Sequence, residues 1–285
     1  MIEIVRPRRV GSEEILKLAS HLTERDRHIA KDCFEYRVLT TSQITRLYFK
    51  GSRTASARLD ILYRLRVLDR FRPSVPMGEG TAPYHWILDE AGALIVADYL
   101  GRERAELGWQ HGVAASIATS QNLAHHVEVN EFFTRLATDA NAAGGALSEW
   151  YGERTCHHAF NGKVVPDGWG SLSLPGCRPL HFLVELDRGS ESSTRLRKKA
   201  EDYEEFLPYT SLKDLNPLVL LLVPSAKLAQ TAVGAVSGCG APIAVAVWRK
   251  DRMSSVLAVV NEAHRRYLRP GERSTSAYRA RSSRI

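Results

Sequence analysis

Pro217-Leu218-Val219-Leu220-Leu221-Leu222-Val223 is the segment that most restricts the fold. Its apolar residues follow one another without alternation, so a strand here must be covered on both faces. Such a strand belongs inside a sheet with helices packed on it, entered by a crossover rather than a hairpin. It is also far too short to cross a bilayer, which takes about 20 apolar residues.

The segments around this strand define a second domain. A long helix is expected from Ser120 to Ala142, with Leu123, Val127, Phe132 (or Val129), Phe133 and Leu136 on its apolar face. Strands follow at Leu147–Arg154, Lys163–Leu174 and Leu180–Asp187, with Gly162 and Pro175-Gly176 in the turns. A charged helix, Ser190–Phe206, leads to the apolar strand. Ala226–Val236 and Met253–Tyr267 then read as helices around a strand at Ile243–Trp248. The order α-β-β-β-α-β is that of the restriction-endonuclease-like core.

The N-terminal third reads differently. Thr23 and Asp26 resemble a capping box ahead of a helix bearing Ile29, Cys33 and Phe34. A short helix, Ser42–Phe49, a Gly51-Ser52 break and a third helix to about Leu65 come next. Val67–Arg72 and Tyr84–Leu88 then form two strands of a wing, and Asp89 caps a helix from Glu90 to Tyr99. This is the order of a winged helix-turn-helix. The fold class is therefore α+β with an α/β element, in two domains. Residues 1–100 are the winged helix-turn-helix, 101–118 a linker, 119–268 the nuclease-like domain and 269–285 a basic disordered tail.

Charge is unevenly placed. Residues 1–75 carry 16 Lys/Arg against 9 Asp/Glu, residues 76–264 carry 16 against 22, and residues 265–285 carry 7 against 1. Basic ends suit a phosphate backbone. Arg53, Ser56, Arg58 and Arg64 lie off the apolar stripe of the third helix, and Arg53, Ser56, Arg58 and Asp60 are placed to meet the major groove. Arg70 and Arg72 in the wing are placed to hold phosphates. A solvated basic face is the plainer alternative.

The acidic middle holds the chemistry. Asp167 sits on one strand, Glu185 and Asp187 on the next, and Lys199 on the following helix. Alternation puts Glu185 and Asp187 on one face, within reach of Asp167. Such carboxylates can hold Mg2+ or Mn2+, which supplies a nucleophile and neutralises charge in phosphodiester hydrolysis, while a lysine steadies the developing charge. The plainer alternative is a surface pair of acids bonded to Arg188 or Lys199. Tyr203 shares a helix face with Lys199 and reads better as a packing tyrosine than as a nucleophile. His125-His126 and His157-His158 lack metal-ligand spacing.

The runs Val165-Pro166-Asp167-Gly168, Phe182-Leu183-Val184-Glu185-Leu186-Asp187-Arg188-Gly189 and Lys199-x-x-x-Tyr203 resemble the motifs of the replication-relaxation protein family. Thr23-Glu24-Arg25-Asp26 and the third helix with Leu59 and Leu62 fit as well. The resemblance runs from about Leu22 to Tyr203. It implies a DNA transaction on a bacterial plasmid, integrative element or phage. The second domain also resembles the PD-(D/E)xK nucleases, with Asp167 and Glu185 in the places of the two acids. Asp187 stands where that superfamily has lysine, and Lys199, or Lys198, would replace it from the helix.

The expectation is a DNA-binding protein of a mobile element that nicks or cleaves DNA in plasmid replication, relaxation or transfer. Asp167, Glu185, Asp187 and Lys199 would be catalytic, and Asp167, Glu185 and Asp187 would hold the metal. The alternative is a non-catalytic regulator or replication accessory factor with a degenerate nuclease domain. The partner is double-stranded DNA, with a homodimer left open and no membrane. Cys33, Cys156, Cys177 and Cys239 lack paired spacing and read as reduced thiols. Arg6, Arg8 and Arg9 are followed by polar residues rather than a signal sequence, so a bacterial cytoplasmic location is expected.

Overall fold

A computed structural model describes residues 22–74, 80–110, 112–210, 212–250 and 255–267. The chain is a mixed α+β protein that divides into two compact units, Met1–Asn130 and Glu131–Ile285. The N-terminal arginines, residues 75–79 and the expected tail at 269–285 lie outside the described residues.

The first unit begins with α1 (Glu24–Glu35), β1 (Leu39–Thr40), α2 (Thr41–Tyr48) and α3 (Ser52–Arg64). Two capping boxes set α1 and α2. Thr23 N–H donates to Asp26 Oδ2 at 2.7 Å, and Asp26 N–H returns the bond to Thr23 Oγ1. Thr40 N–H donates to Gln43 Oε1 at 2.9 Å, and Gln43 N–H donates back to Thr40 Oγ1. This second box turns the chain from β1 straight into α2, one residue ahead of the start expected at Ser42.

β2 (Leu68–Phe71), β3 (His85–Leu88) and α4 (Glu90–Leu100) follow. Leu39 and Thr40 pair antiparallel with Trp86 and His85, giving a three-stranded sheet in the order β1-β3-β2. Ala55, Leu59 and Leu62 of α3 are fully buried, as are Ile29 and Ala30 of α1. Leu65, where the third helix was expected to end, is its C-cap residue and is half-buried. The stretch expected as a linker holds a 3-10 turn (Arg104–Leu107) and a short helix, α5 (Val113–Ala118). Helix α6 (Leu123–Ala142) starts in this unit, where Asn130 Nδ2 donates to the carbonyls of Tyr36 and Val38.

The second unit runs β4 (Ala146–Gly152), α7 (Glu153–Ala159), β5 (Gly168–Ser173), β6 (Leu180–Leu186), α8 (Ser193–Phe206), β7 (Leu218–Val223), α9 (Ala226–Val236), β8 (Ile243–Val247) and α10 (Val256–Tyr267). Its sheet order is β4-β5-β6-β7-β8, antiparallel through β6 and parallel from β6 to β8. Every residue of β7 is buried, as its unbroken apolar run requires.

Two expected strands are shorter than the sequence suggests. The first ends at Gly152, and Glu153–Ala159 forms α7 instead of more strand. That helix buries Cys156 alone of its residues, so it carries no apolar periodicity to read. The second strand starts only at Gly168, leaving 163–167 without regular structure. Gly168 and Gly170 make room for rings: an added Cβ would lie 2.7 Å from the Phe133 ring at the first and 2.4 Å from the Phe182 ring at the second. Phe133 of α6 stacks on Trp150 at 5.0 Å and on Phe182 at 6.0 Å between centroids. Asp139 of α6 caps α10 from outside, its Oδ2 accepting from Val256 N–H at 2.6 Å and Leu257 N–H at 3.2 Å. Among the described residues no helix is long and apolar enough to cross a membrane.

Candidate functional site

The acidic residues of the second unit meet where β5 and β6 begin and end. Asp167, just ahead of β5, donates its N–H to Val184 O at 2.9 Å and accepts from Leu186 N–H on Oδ2 at 2.7 Å. Glu185, inside β6, is only 4% exposed. From α8, Lys199 and Tyr203 stand four residues apart on one helix face and divide the two oxygens of Glu185 between them. Lys199 Nζ donates to Oε2 at 2.8 Å, and Tyr203 Oη donates to Oε1 at 2.5 Å. Tyr203 is thus a core residue whose hydroxyl holds a neighbour.

Asp187 does something else. Its Oδ1 accepts three backbone N–H groups, from Gly189 at 2.8 Å, Ser190 at 2.9 Å and Glu191 at 3.2 Å. The turn needs the left-handed backbone of Gly189, at φ +90°. It delivers Glu191, whose Oε1 accepts from Lys199 Nζ at 3.1 Å. Glu191 was expected inside the helix from Ser190, but the helix starts only at Ser193, and Glu191 reaches Lys199 from the loop through this turn.

Electrostatics follow from the burial. Loss of water pushes the Glu185 carboxyl up to about 7, against the pull of Lys199, and the charge of Asp167 adds to the rise. Burial opposes the Lys199 charge, yet Glu185 and Glu191 outweigh it and raise its pKa. Burial and the adjacent Glu185 hold Tyr203 protonated. Glu185 is therefore an acid poised near neutrality, bonded to a permanent cation. An open pocket of about 300 Å³ reaches it, with Lys163, Val165, Arg195, Lys199 and Tyr203 among its walls. Asp167 and Asp187 do not line that pocket. Among the described residues no group of three or more His, Cys, Asp or Glu side chains is arranged to hold a metal ion, the histidine pairs included.

In the first unit α3 presents Arg53, Ser56 and Arg64 to solvent, and Arg72 is exposed just past β2. Arg58 is engaged inward instead. Its Nε donates to Asp26 Oδ1 at 2.9 Å and its Nη2 to Oδ2 at 2.5 Å. Burial works against the Asp26 charge, but the bonds from Arg58 and Thr23 win and lower its pKa. Arg70 bonds Asp60 and lies among aromatic rings. Asp26 showed in the sequence only as a capping residue, and its second role depends on a partner 32 positions away.

No curated protein and no solved structure matches the chain. A family model described as replication-relaxation matches residues 32–218, well over half of the sequence. That span takes in α2, α3, the three-stranded sheet, Asp167, Glu185 and all of α8, and with it the chain belongs to the replication-relaxation family.

Proposed function

We propose that the protein acts in the replication of a plasmid or other mobile element by gripping double-stranded DNA through α3. Family membership supports the setting. The order α1-β1-α2-α3-β2-β3, with β1 returning to pair with β3, suits a winged helix-turn-helix. One observation carries the reading: α3 buries Ala55, Leu59 and Leu62 and turns Arg53, Ser56 and Arg64 outward. The N-cap of α3 is Gly51, which offers no side-chain cap, so the first N–H groups of the helix remain for a phosphate. Fluorescence anisotropy on duplex DNA tests it. Arg53→Ala with Arg64→Ala should weaken binding and lower the salt slope by about 0.9 for each phosphate no longer held. Unchanged binding would place the DNA surface elsewhere.

A second reading, metal-dependent strand cleavage, is favoured by Glu185 and Lys199 meeting at an open pocket. The sheet, with α6 before it and α8 crossing to β7, suits the restriction-endonuclease-like order once α7 is set aside as an insertion. The donor set fits a hard divalent cation in part. Asp167 and Glu185 carry the carboxylates such an ion needs, but Oδ2 of Asp167 already accepts from Leu186, both oxygens of Glu185 accept from Lys199 and Tyr203, and the Oδ1 of Asp187 is taken up by the turn. Bound Mg2+ or Mn2+ would supply an activated water and charge neutralisation there. Around it, Lys199 would hold Glu185 in place and Tyr203 would fix its orientation. Supercoiled plasmid incubated with Mg2+ or Mn2+ separates the readings. Nicking by the wild type, abolished in Asp167→Ala and Glu185→Ala, is the outcome for cleavage. Intact plasmid leaves a DNA-binding replication factor.

A further inference from the structure

The wing arginines differ in what they are free to touch. Arg70, on β2, bonds Asp60 of α3. Its guanidinium also lies 4.4 Å from the ring centre of Tyr63, 4.2 Å from that of Tyr84 and 5.5 Å from that of Trp86. Tyr63 belongs to α3, Trp86 to β3, and Tyr84 immediately precedes β3. One side chain therefore joins the exposed helix to both strands of the wing. Arg72 is exposed, stacks 3.7 Å over Tyr84 and makes no ion pair with any described residue.

We infer that Asp60 and Arg70 are positioning residues that fix the wing against α3, and that Arg72, steadied on Tyr84, is the wing's contact to a DNA phosphate. The inference rests on the DNA-binding role proposed for α3. Arg70 could meet a phosphate only by leaving a carboxylate and three rings. Its planar guanidinium fits the stack, whereas a lysine ammonium offers neither the plane nor the fork. Phosphate contacts set the register in which a helix meets base edges. A strut between wing and α3 keeps those two kinds of contact in step without touching DNA itself.

Salt-dependent anisotropy with the full chain and duplex DNA tests this. Arg72→Gln should lower the slope of log K against log salt by about 0.9, the signature of one phosphate released. Arg70→Lys keeps the charge and removes the stack, so affinity should fall roughly five- to tenfold with the slope unchanged. Asp60→Asn should act in the same direction and supplies that arm if Arg70→Lys does not fold. An unchanged slope in Arg72→Gln overturns the inference. So does a slope lowered by Arg70→Gln together with wild-type affinity in Arg70→Lys, which would make Arg70 the phosphate contact. A wild type that binds no duplex at all overturns the DNA-binding role, and this inference with it.

Discussion

In each unit a cation holds a buried carboxylate, Arg58 on Asp26 in the first and Lys199 on Glu185 in the second, and these two pairs behave in opposite ways. Asp26 in the first unit receives four donors: two from the Arg58 guanidinium and two from Thr23, through its N–H and its hydroxyl. Glu185 in the second receives two, from Lys199 and Tyr203, with the like charge of Asp167 nearby. The pKa of Asp26 falls and that of Glu185 rises. Desolvation raises both, and it is the fuller desolvation of Glu185, together with donor number, donor type and neighbouring charge, that decides the sign. The first pair is a clamp between α1 and α3. The second is an ionisable centre beside a pocket.

The most severe challenge to this contrast is removal of Arg58. Arg58→Ala leaves Asp26 buried without its cation and should destabilise the fold by about 3–5 kcal/mol, read by urea titration. A change below about 1 kcal/mol would show that Asp26 is no clamp. With the full loss of about 3–5 kcal/mol, the cost of breaking a buried pair, failure of this variant to bind DNA would follow from unfolding rather than from a missing phosphate partner.

Acid-dependent stability is the next test. A carboxyl whose folded pKa lies above its unfolded value keeps its proton in the fold while the unfolded chain releases it. Stability from Glu185 is therefore full below pH 4.5 and declines as pH rises towards 7. The decline amounts to at most roughly 3 kcal/mol, at about 1.36 kcal/mol per pKa unit. Glu185→Gln should flatten it. Asp26 runs the other way, with stability present above its unfolded pKa and lost as pH falls through its lowered folded value. Equal slopes in wild type and Glu185→Gln would erase the difference between the two pairs.

Lys199→Met should cost roughly 2 kcal/mol at pH 8, where Glu185 must give up its charge or bury it alone, and less at pH 5. Arg58→Ala leaves the burial of Asp26 and removes the bonds that lower its pKa, so its cost too should shrink once Asp26 can take up a proton. Thermal melts at the two pH values make the comparison. The smallest effects concern Asp187. Asp187→Ala removes the acceptor for three N–H groups and should cost about 1–2 kcal/mol, whereas Asp187→Asn keeps an acceptor and should cost under about 0.5 kcal/mol. A large fall in any plasmid nicking in Asp187→Asn, with stability intact, would instead mark it as a metal ligand.

How much of this was legible depended on distance along the chain. Leu218–Val223 announced a doubly covered strand because six adjacent residues carry that message together. The spacing of Glu185, Lys199 and Tyr203 was readable for the same reason, since strand alternation and a helical turn place them locally. Arg58 and Arg70 looked like DNA contacts because both lie in a basic, partly exposed stretch. What occupies them is Asp26 in one case, and Asp60 with three aromatic rings in the other. Only the folded chain brings those partners together. Asp187 was readable as an acid beside Glu185, but not as the holder of a turn, because that role needs the positive φ of Gly189 and three converging N–H groups.

The two glycines of β5 carry a consequence for how this chain can vary. Gly168 and Gly170 act as a mould for the rings of Phe133 and Phe182, so strand and rings form one unit of change. Across relatives, a larger residue at either glycine should appear together with a smaller one at the facing ring. A change on one side alone should be rare, however harmless it looks on a strand whose sequence is mostly glycine and serine.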